Sequence, residues 1–322
     1  MARSDLLISL VRAGAQGDKP AFTRTVEAII AEERARQHNV LADRLAENLR
    51  VSGVERRFDA PRPTFDMSGF LHELTPRREL EELLLPDVAQ VAMQEIIEEH
   101  QRVDLLRAHG LEPRHRVLLA GPPGNGKTTL AEAIATALLV PLLVVRYEGV
   151  IASYLGETAV RIGRLFEYAR ARRCVLFFDE FDAVAKERGD VHETGEIKRV
   201  VSSLLLQVDA LPSHVVVVAA TNHAELLDRA VWRRFQLRIA LPKPNSPQVE
   251  EWFRRFEIRA GFRLGIPTKT LAERLKGLSF AELEDFGADV QRRYVLGLPS
   301  AEPTAIVRER LAQWGARFTG EE

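Results

Sequence analysis

The sequence predicts an α/β fold, a doubly wound parallel sheet with helical segments at both ends of the chain. Five short apolar runs alternate with helical stretches in the middle of the chain: residues 116–120, 142–147, 174–178, 215–220 and 237–241. Runs that are apolar throughout indicate strands buried on both faces, and the helices between them indicate parallel pairing. After Pro242 and Pro244 only helical patterns follow, so a smaller helical unit completes the chain.

The N-terminal residues are predicted to form a small helical bundle. Val26 and Ile30 lie at helical spacing, and breaks near residues 14–17 and 38–39 divide the segment into three helices. The next residues lose this periodicity and carry two prolines, which is typical of a linker. The sequence therefore predicts a helical bundle, a linker, an α/β domain and a smaller helical domain: residues 1–50, 51–80, 81–243 and 244–322.

Composition argues against several classes of protein. Lysine and arginine number 45 against 46 acidic residues, so no overall charge attracts nucleic acid or an anionic membrane. The single cysteine, Cys174, excludes an internal disulfide and fits a reducing compartment. The apolar runs fall well short of the roughly 20 residues that span a bilayer, and the first residues do not read as a signal peptide. We expect a cytoplasmic protein with no membrane or nucleic-acid partner.

The segment GPPGNGKTT follows the first predicted strand and precedes a helix. Its spacing lets backbone N–H groups curl around phosphate oxygens, while Lys127 reaches the β- and γ-phosphates and Thr128 ligates Mg²⁺. A glycine-rich turn with a chance lysine is the alternative, and the strand and helix on either side argue against it. ATP and Mg²⁺ are therefore the expected cofactors, held by Gly121, Pro122, Pro123, Gly124, Asn125, Gly126, Lys127, Thr128 and Thr129.

Carboxylates follow the predicted strand 174–178, in the segment CVLFFDEFD. Parallel sheets bind ligands at the carboxyl ends of their strands. Asp179 is expected to hold Mg²⁺ there, and Glu180 to orient and activate the attacking water. The alternative is that these residues are solvated acids at a strand end. The presence of the phosphate loop argues against that alternative. Cys174 is expected to pack as a small buried hydrophobe.

Two weaker signals lie further along. Asn222 ends the strand-like run VVVVAATN, where an amide can lie between the carboxylates and the γ-phosphate, although asparagine also ends many ordinary strands. Arg233 and Arg234 precede the last predicted strand. Arginine stabilises γ-phosphate charge in the transition state, but an arginine pair is more often a solvated face.

The order of these motifs resembles the AAA+ ATPases, and within them the AAA clade that includes katanin and spastin. The similar segments are GPPGNGKTT, SYLGETAVRIGRLFEYARA, VLFFDEFDAV and AATNHAELLDRAVWRRF, and the resemblance covers about residues 80–300. It implies a doubly wound α/β domain with a helical lid, assembled as a homo-oligomer, usually a hexameric ring with ATP at subunit boundaries. It also implies that Asn222 is the first sensor, and that Arg233 and Arg234 are arginine fingers in a contracted RRF form.

The resemblance gives the segment SYLGE a role as well. An aromatic–hydrophobic–glycine triplet at this place in the family faces a central pore and grips a threaded polypeptide, and Tyr154, Leu155 and Gly156 match it. Packing of Tyr154 against the start of its own helix is the alternative. Residues 188–196 occupy the place of a second pore loop, and His192 with Glu193 has no further ligand at zinc-like spacing.

One departure and one narrower resemblance complete the analysis. Phe280 stands where the lid of the family usually carries glycine, which places the close approach of the lid backbone to the adenosine in question. The alternative is that the ring of Phe280 stacks there instead. The segments around EFDA and NHAELLDRA also resemble those of bacterial stand-alone ATPases encoded beside a subtilisin-like peptidase. Such pairs are associated with plasmid maintenance or phage defence.

Two functions are therefore weighed. In the first, a ring couples ATP hydrolysis to remodelling or threading of a protein substrate. In the second, ATP occupancy switches a regulator that controls a partner enzyme, such as a subtilisin-like protease, through the N-terminal bundle, where other members carry a docking domain. A nucleic-acid-dependent ATPase is disfavoured by the near-neutral charge.

Overall fold

The computed structural model describes residues 2–16, 19–51, 71–145, 155–182 and 196–318. These residues form a six-stranded sheet in the order β1-β3-β4-β5-β2-β6. Strand β1 pairs antiparallel with β3, and every other pairing is parallel. The strands are β1 (Leu71–Leu74), β2 (Arg116–Ala120), β3 (Leu142–Val145), β4 (Cys174–Phe178), β5 (Val215–Thr221) and β6 (Leu237–Ala240). The predicted α/β fold with its five parallel strands is confirmed.

Helices cover the sheet and occupy both ends of the chain. The described helices are α1 (Ala2–Gln16), α2 (Lys19–Ala35), α3 (Asn39–Val51), α4 (Asp87–Gln101), α5 (Val103–Ala108), α6 (Lys127–Leu138), α7 (Leu155–Arg170), α8 (Glu196–Asp209), α9 (Arg229–Trp232), α10 (Ser246–Ala260), α11 (Thr268–Arg274), α12 (Phe280–Leu296) and α13 (Pro303–Phe318). Short 3₁₀ turns add Leu80–Glu82 and Ala224–Leu226. Among the described residues, none of these helices is long and apolar enough to cross a membrane.

The central strands are buried because both faces of the sheet carry a hydrophobic layer. All seven residues of β5 are buried. One layer contains the rings of Phe166, Phe178 and Phe181, and the other contains Met93 and Leu130. Burial on both faces explains why these strands read as continuous apolar runs.

Strand β1 lies within residues 51–80, which the sequence predicted to be a linker. Its sequence LHEL has one buried residue, Leu71, and three exposed ones. An edge strand that buries so little apolar surface leaves no apolar run in the sequence. The linker prediction is therefore wrong for these four residues.

Helices α10–α13 enclose a separate aromatic core that includes Trp252, Phe256, Phe286 and Trp314. We call these four helices the lid. Leu84, from the segment before α4, packs against this core, while its neighbours Leu83 and Leu85 pack against the core of the sheet. We call residues 80–85 the strap, since they join the two units along one side.

Helices α1–α3 lie in the residues predicted to form the N-terminal bundle. They share a small core that contains Val26, Ile30 and Ala42. An ion pair at 3.8 Å between Arg44 and Glu79 connects α3 to the segment before the strap. The boundaries of the four domains stay predictions.

Candidate nucleotide-binding site

The predicted phosphate loop connects the end of β2 to the start of α6. Gly126 precedes the helix with a φ of 80°, and no side chain caps the first turn of α6. The N–H groups of that turn are therefore left for another acceptor, and they lie at the positive end of the helix dipole. Both properties favour binding of an anion such as a phosphate group.

Lys127 is held inside this loop. Its ammonium donates hydrogen bonds to the carbonyl oxygens of Gly121 at 2.7 Å and Pro122 at 2.9 Å, and to Oδ1 of Asn222 at 2.7 Å. Burial lowers the pKa of Lys127, and the charges of Asp179 and Asp182 oppose that shift. The ammonium is thus placed between the phosphate loop and the end of β5, where phosphate oxygens are suitable acceptors.

Asp179 and Thr128 meet across the loop. Oγ1 of Thr128 donates to Oδ2 of Asp179 at 3.3 Å, so α6 and β4 bring a hydroxyl and a carboxylate together. The backbone N–H of Glu180 donates to Oδ1 of Asp179 at 3.0 Å, and Glu180 has a φ of 48°. Hydroxyl and carboxylate oxygens are the ligands that Mg²⁺ prefers, so this donor set fits the ion.

Asn222 follows β5 and is held by a residue that the sequence analysis missed. The carboxylate of Asp182 accepts hydrogen bonds from Oγ1 of Thr221 at 2.9 Å and from the backbone N–H of Asn222 at 3.3 Å. Asp182 is the last acid of the segment DEFD, directly beside the predicted pair. That position is the signal in the sequence that could have identified it.

A cavity of about 1020 Å³ extends from the phosphate loop to the lid. Its phosphate end is lined by residues 123–129 together with Asp179, Glu180 and Asn222. The sequence-predicted residues of the phosphate loop and the ends of β4 and β5 are therefore brought together. The volume suits a ligand of nucleotide size with its phosphates at this end.

Apart from Phe280, the strap and lid residues that line the cavity were not predicted as a site. The strap contributes Leu83–Leu85, and the lid contributes Trp252, Phe256, Arg259, Phe280 and Glu284. Trp252 and Phe256 stack at 5.3 Å between ring centroids, and Nε1 of Trp252 donates to Glu284 at 3.1 Å. These side chains come from segments far apart in the chain, so no local sequence motif predicts that they line one cavity.

Hydrogen bonds join the strap, the lid and the phosphate loop around this cavity. Nη1 of Arg255 donates to the carbonyl oxygens of Glu81 at 2.9 Å and Glu82 at 3.2 Å. The backbone N–H of Ala281, in the first turn of α12, donates to the carbonyl oxygen of Gly124 at 2.9 Å. The lid is thus bonded directly to the loop that is expected to hold phosphate.

Comparisons with known proteins agree with this geometry. Residues 117–243 match the model of the ATPase family associated with various cellular activities, AAA. The chain is 36% identical over 293 residues to the AAA family ATPase y4kL of Sinorhizobium fredii, covering 88% of this chain and 87% of that relative. This chain belongs to the AAA family of ATPases. It is therefore an enzyme that binds and hydrolyses ATP.

More distant relatives match this AAA ATPase over part of their length. It is 34% identical over 186 residues to the cell division cycle protein 48 homolog of Archaeoglobus fulgidus, covering 56% of this chain and 25% of the relative. It is 29% identical to an "AAA ATPase forming ring-shaped complexes" of Corynebacterium glutamicum, covering 79% of this chain and 56% of the relative.

The fold agrees with a solved structure, the crystal structure of the FIGL-1 AAA domain. The TM-score is 0.61 at 22% identity, over 79% of this chain and 90% of that domain. At this identity the likeness concerns the fold alone.

The structure places Arg233 and Arg234 differently from each other. Arg233 is exposed. Arg234 forms an ion pair with Asp209 and donates to the carbonyl oxygen of Leu205 at 3.3 Å, while Arg116 binds the same Asp209 at 2.7 Å. Neither arginine lines the cavity of its own chain. Arg234 is therefore engaged inside the chain, in a contact that the sequence did not predict.

The predicted pore triplet cannot be placed as a whole. Tyr154 lies outside the described residues, as do His192 and Glu193. Leu155 and Gly156 form the start of α7. Cys174 is buried, and burial raises the pKa of its thiol to about 12, which makes it a packing residue as expected.

Proposed function

We propose that this AAA ATPase binds ATP together with Mg²⁺ in the cavity between the phosphate loop and the lid. Two hydrogen bonds carry the proposal. Lys127 donates to Asn222 at 2.7 Å, and Thr128 donates to Asp179 at 3.3 Å. The N–H groups of the first turn of α6 and the ammonium of Lys127 bind the β- and γ-phosphates.

Thr128 and Asp179 are proposed to hold Mg²⁺, since their oxygens are already adjacent. The ion supplies charge neutralisation at the phosphate oxygens. Glu180 follows Asp179 and lines the cavity, where its carboxylate accepts a proton from the attacking water. Asn222 donates from its amide to orient that water, while its Oδ1 holds Lys127.

The role of Glu180 is tested by Glu180→Gln. This variant should bind ATP with affinity close to that of the wild type, and its kcat should fall about 100-fold or more because the general base is lost. Steady-state phosphate release and calorimetric ATP binding measure the two properties. Glu167→Gln, an exposed carboxylate on α7 outside the cavity, is the matched control and should leave both unchanged. A Glu180→Gln variant with wild-type kcat contradicts the assignment.

We propose further that the site is completed by Arg233 of a neighbouring copy in a ring, with six subunits as the expected size. Two observations support this arrangement. Arg233 is exposed and lies outside its own cavity, and the Corynebacterium glutamicum relative is named for ring-shaped complexes. Arg234 is then a positioning residue, because its contacts with Leu205 and Asp209 anchor the segment that carries Arg233.

The work of the ring is proposed to be remodelling or threading of a protein substrate in the cytoplasm. Relatives of this chain include a peroxisomal ATPase of Schizosaccharomyces pombe and a proteasome-associated ATPase of Streptosporangium roseum. The proposed grip is the triplet Tyr154, Leu155 and Gly156, since an aromatic ring wedges between side chains of many sequences. Tyr154→Ala should keep basal ATP hydrolysis and lose substrate remodelling, whereas remodelling by this variant rules the grip out.

A second function is favoured by the N-terminal bundle. Helix α1 exposes Leu7, Ile8 and Val11, with relative exposures of 50%, 57% and 71%. Exposed apolar side chains on one helix are suited to docking of a partner enzyme. The resemblance to ATPases encoded beside a subtilisin-like peptidase suggests such a peptidase as the partner. ATP occupancy would then switch the partner between held and released states.

Trapping of the partner separates the two functions. Glu180→Gln in ATP should retain a partner enzyme, and adding Ile8→Ser and Val11→Ser should release it while ADP binding stays unchanged. Phe22→Ser on α2, which is 39% exposed, is the control for a polar change elsewhere on the bundle. Retention of the partner by the Ile8→Ser and Val11→Ser variant excludes α1 as the docking surface.

A further inference from the structure

Asp182 is a buried acid that the proposed reaction has not yet used. It is 8% exposed and does not line the cavity. A carboxylate that has lost most of its water needs hydrogen bonds in exchange. It accepts them from Oγ1 of Thr221 at 2.9 Å and from the backbone N–H of Asn222 at 3.3 Å. Both donors belong to the turn that follows β5.

The hydroxyl of Thr221 fixes the geometry of this contact, because it donates one hydrogen bond and accepts another. Thr221 is fully buried at the end of β5, and its hydroxyl donates to Asp182 while accepting from the backbone N–H of His223 at 3.0 Å. The hydroxyl thus links Asp182 to the backbone of His223, the residue that follows Asn222. The carbonyl oxygen of Thr221 also accepts from the N–H of Gly121 at 3.2 Å, which ties the same turn to the phosphate loop.

Asn222 is the residue that these contacts place. Its Oδ1 accepts from the ammonium of Lys127 at 2.7 Å, and it lines the same cavity as Glu180. We propose that Asp182 is a positioning residue that, together with Thr221, holds Asn222 in the orientation needed for ATP hydrolysis. The inference rests on the proposed role of Asn222 in the reaction. Asp182 touches neither nucleotide nor water in this scheme and acts on Asn222 through the turn.

The first test compares variants that break or keep the hydrogen bonds. Asp182→Ala and Thr221→Val should lower kcat about 10- to 100-fold, because the amide of Asn222 is displaced by about an ångström or less. ADP affinity, measured by calorimetry, should stay within about twofold because no residue of the phosphate loop is changed. Asp182→Asn and Thr221→Ser keep an acceptor and a hydroxyl at the same places, and should retain most of the wild-type kcat.

The second test asks whether Asp182 acts through Asn222. Asp182→Ala should lower kcat no further in a chain that already carries Asn222→Ala, since contacting residues in one network are not additive. An equal loss of kcat in both backgrounds overturns the inference and leaves the role of Asn222 intact. If Asn222→Ala alone leaves kcat unchanged, the proposed role of Asn222 fails together with the inference.

Thr136→Val is the matched control for cutting a buried threonine. Thr136 lies on α6, is 5% exposed, and its hydroxyl has no hydrogen-bond partner among the described residues. It should leave kcat and ADP affinity unchanged. A parallel loss of ADP affinity and kcat in Asp182→Ala and Thr221→Val would reveal general damage to the fold and overturn the inference.

Discussion

At the scale of single residues, Phe280 changes the character of the cavity. It opens α12 directly after Ser279, whose hydroxyl accepts from the N–H of Glu282 in a capping box. Its ring is partly buried against the lid core and lines the cavity, and the next residue, Ala281, donates its backbone N–H to Gly124 of the phosphate loop. An aromatic ring at this place offers a face on which a nucleotide base can stack.

Phe280→Ala should raise the KM for ATP about 5-fold or more, because stacking on an aromatic ring contributes about 1–3 kcal/mol per base. Phe280→Tyr keeps the ring and should keep the KM. Inhibition by inorganic tripolyphosphate, which carries no base, should be the same in all three proteins. Weakened tripolyphosphate binding in Phe280→Ala would place the defect in the phosphate loop instead.

Residues whose role depends on a local motif could be predicted from sequence. Lys127 and Asp179 can be named as candidate site residues because each lies within a few positions of a local motif, the phosphate loop or a strand end. Phe280 and Asp182 depend on partners far away in the chain: Phe280 on the phosphate loop, and Asp182 on Thr221 at 39 positions. The spacing of residues along the chain does not predict contacts of this kind.

At the scale of elements, the segment between α9 and β6 is anchored by charge. Asp209, at the end of α8, binds Arg234 from this segment and Arg116 at the start of β2. These side chains are partly exposed, so each pair is a modest contribution to stability. The contact matters more for where it holds the adjacent Arg233.

Arg234→Ala should lower the free energy of unfolding by about 1 kcal/mol or less, which shifts the thermal midpoint by at most about 2–4 °C. It should also lower ATP turnover, because the segment that carries Arg233 is released. Arg233→Ala should lower turnover and leave the midpoint unchanged, since its side chain is exposed. Differential scanning calorimetry and phosphate release measure the two effects, and identical behaviour of both variants contradicts this division of roles.

The junction of α4 and β2 should make stability depend on pH. His100 is buried, and Nε2 bonds to the carbonyl oxygen of Arg114 at 2.8 Å. Burial lowers the pKa of His100, aided by the charge of Arg173 and opposed by the Arg114 hydrogen bond and by Glu99. Burial lowers the pKa of His115 as well. The unfolded chain therefore binds protons at a higher pH than the folded one.

Stability should thus be fully present above the ordinary histidine pKa of 6.5 and fall as the pH drops below it. The thermal midpoint should decrease between about pH 7.5 and 5.5, and His100→Gln, which keeps a donor but does not titrate, should show a smaller decrease. The lowered pKa of Glu99 acts below its ordinary value of 4.5, outside this window. An unchanged decrease in His100→Gln assigns the effect elsewhere.

Strands β2, β3, β4 and β5 were predictable because burial on both faces leaves continuous apolar runs. Strand β1 was not, since its pairing with β3 comes from backbone hydrogen bonds rather than from apolar side chains. The same holds for the strap, whose carbonyl oxygens bind Arg255. Backbone contacts leave little trace in residue types.

At the scale of the whole molecule, the cavity unites the sheet, the strap and the lid, while Arg233 lies outside it. Catalysis by an arginine from a second copy should make ATP turnover per subunit rise with protein concentration. Mixing Arg233→Ala with Lys127→Ala subunits should restore part of the activity that each lacks alone, because some shared sites regain both groups. No recovery in the mixture would show that Arg233 acts within its own chain or not at all.

The contact between lid and phosphate loop has a consequence for the meaning of the motif itself. Gly124 has a φ of 75°, and a Cβ atom there would lie 2.9 Å from both Cβ of Ala281 and Oγ of Ser279. Such distances are sterically excluded, so any larger residue would push α12 away. A glycine of the phosphate loop is thus also the residue against which the lid packs. Selection for a docked lid alone would preserve this position, even in a descendant that had lost ATP.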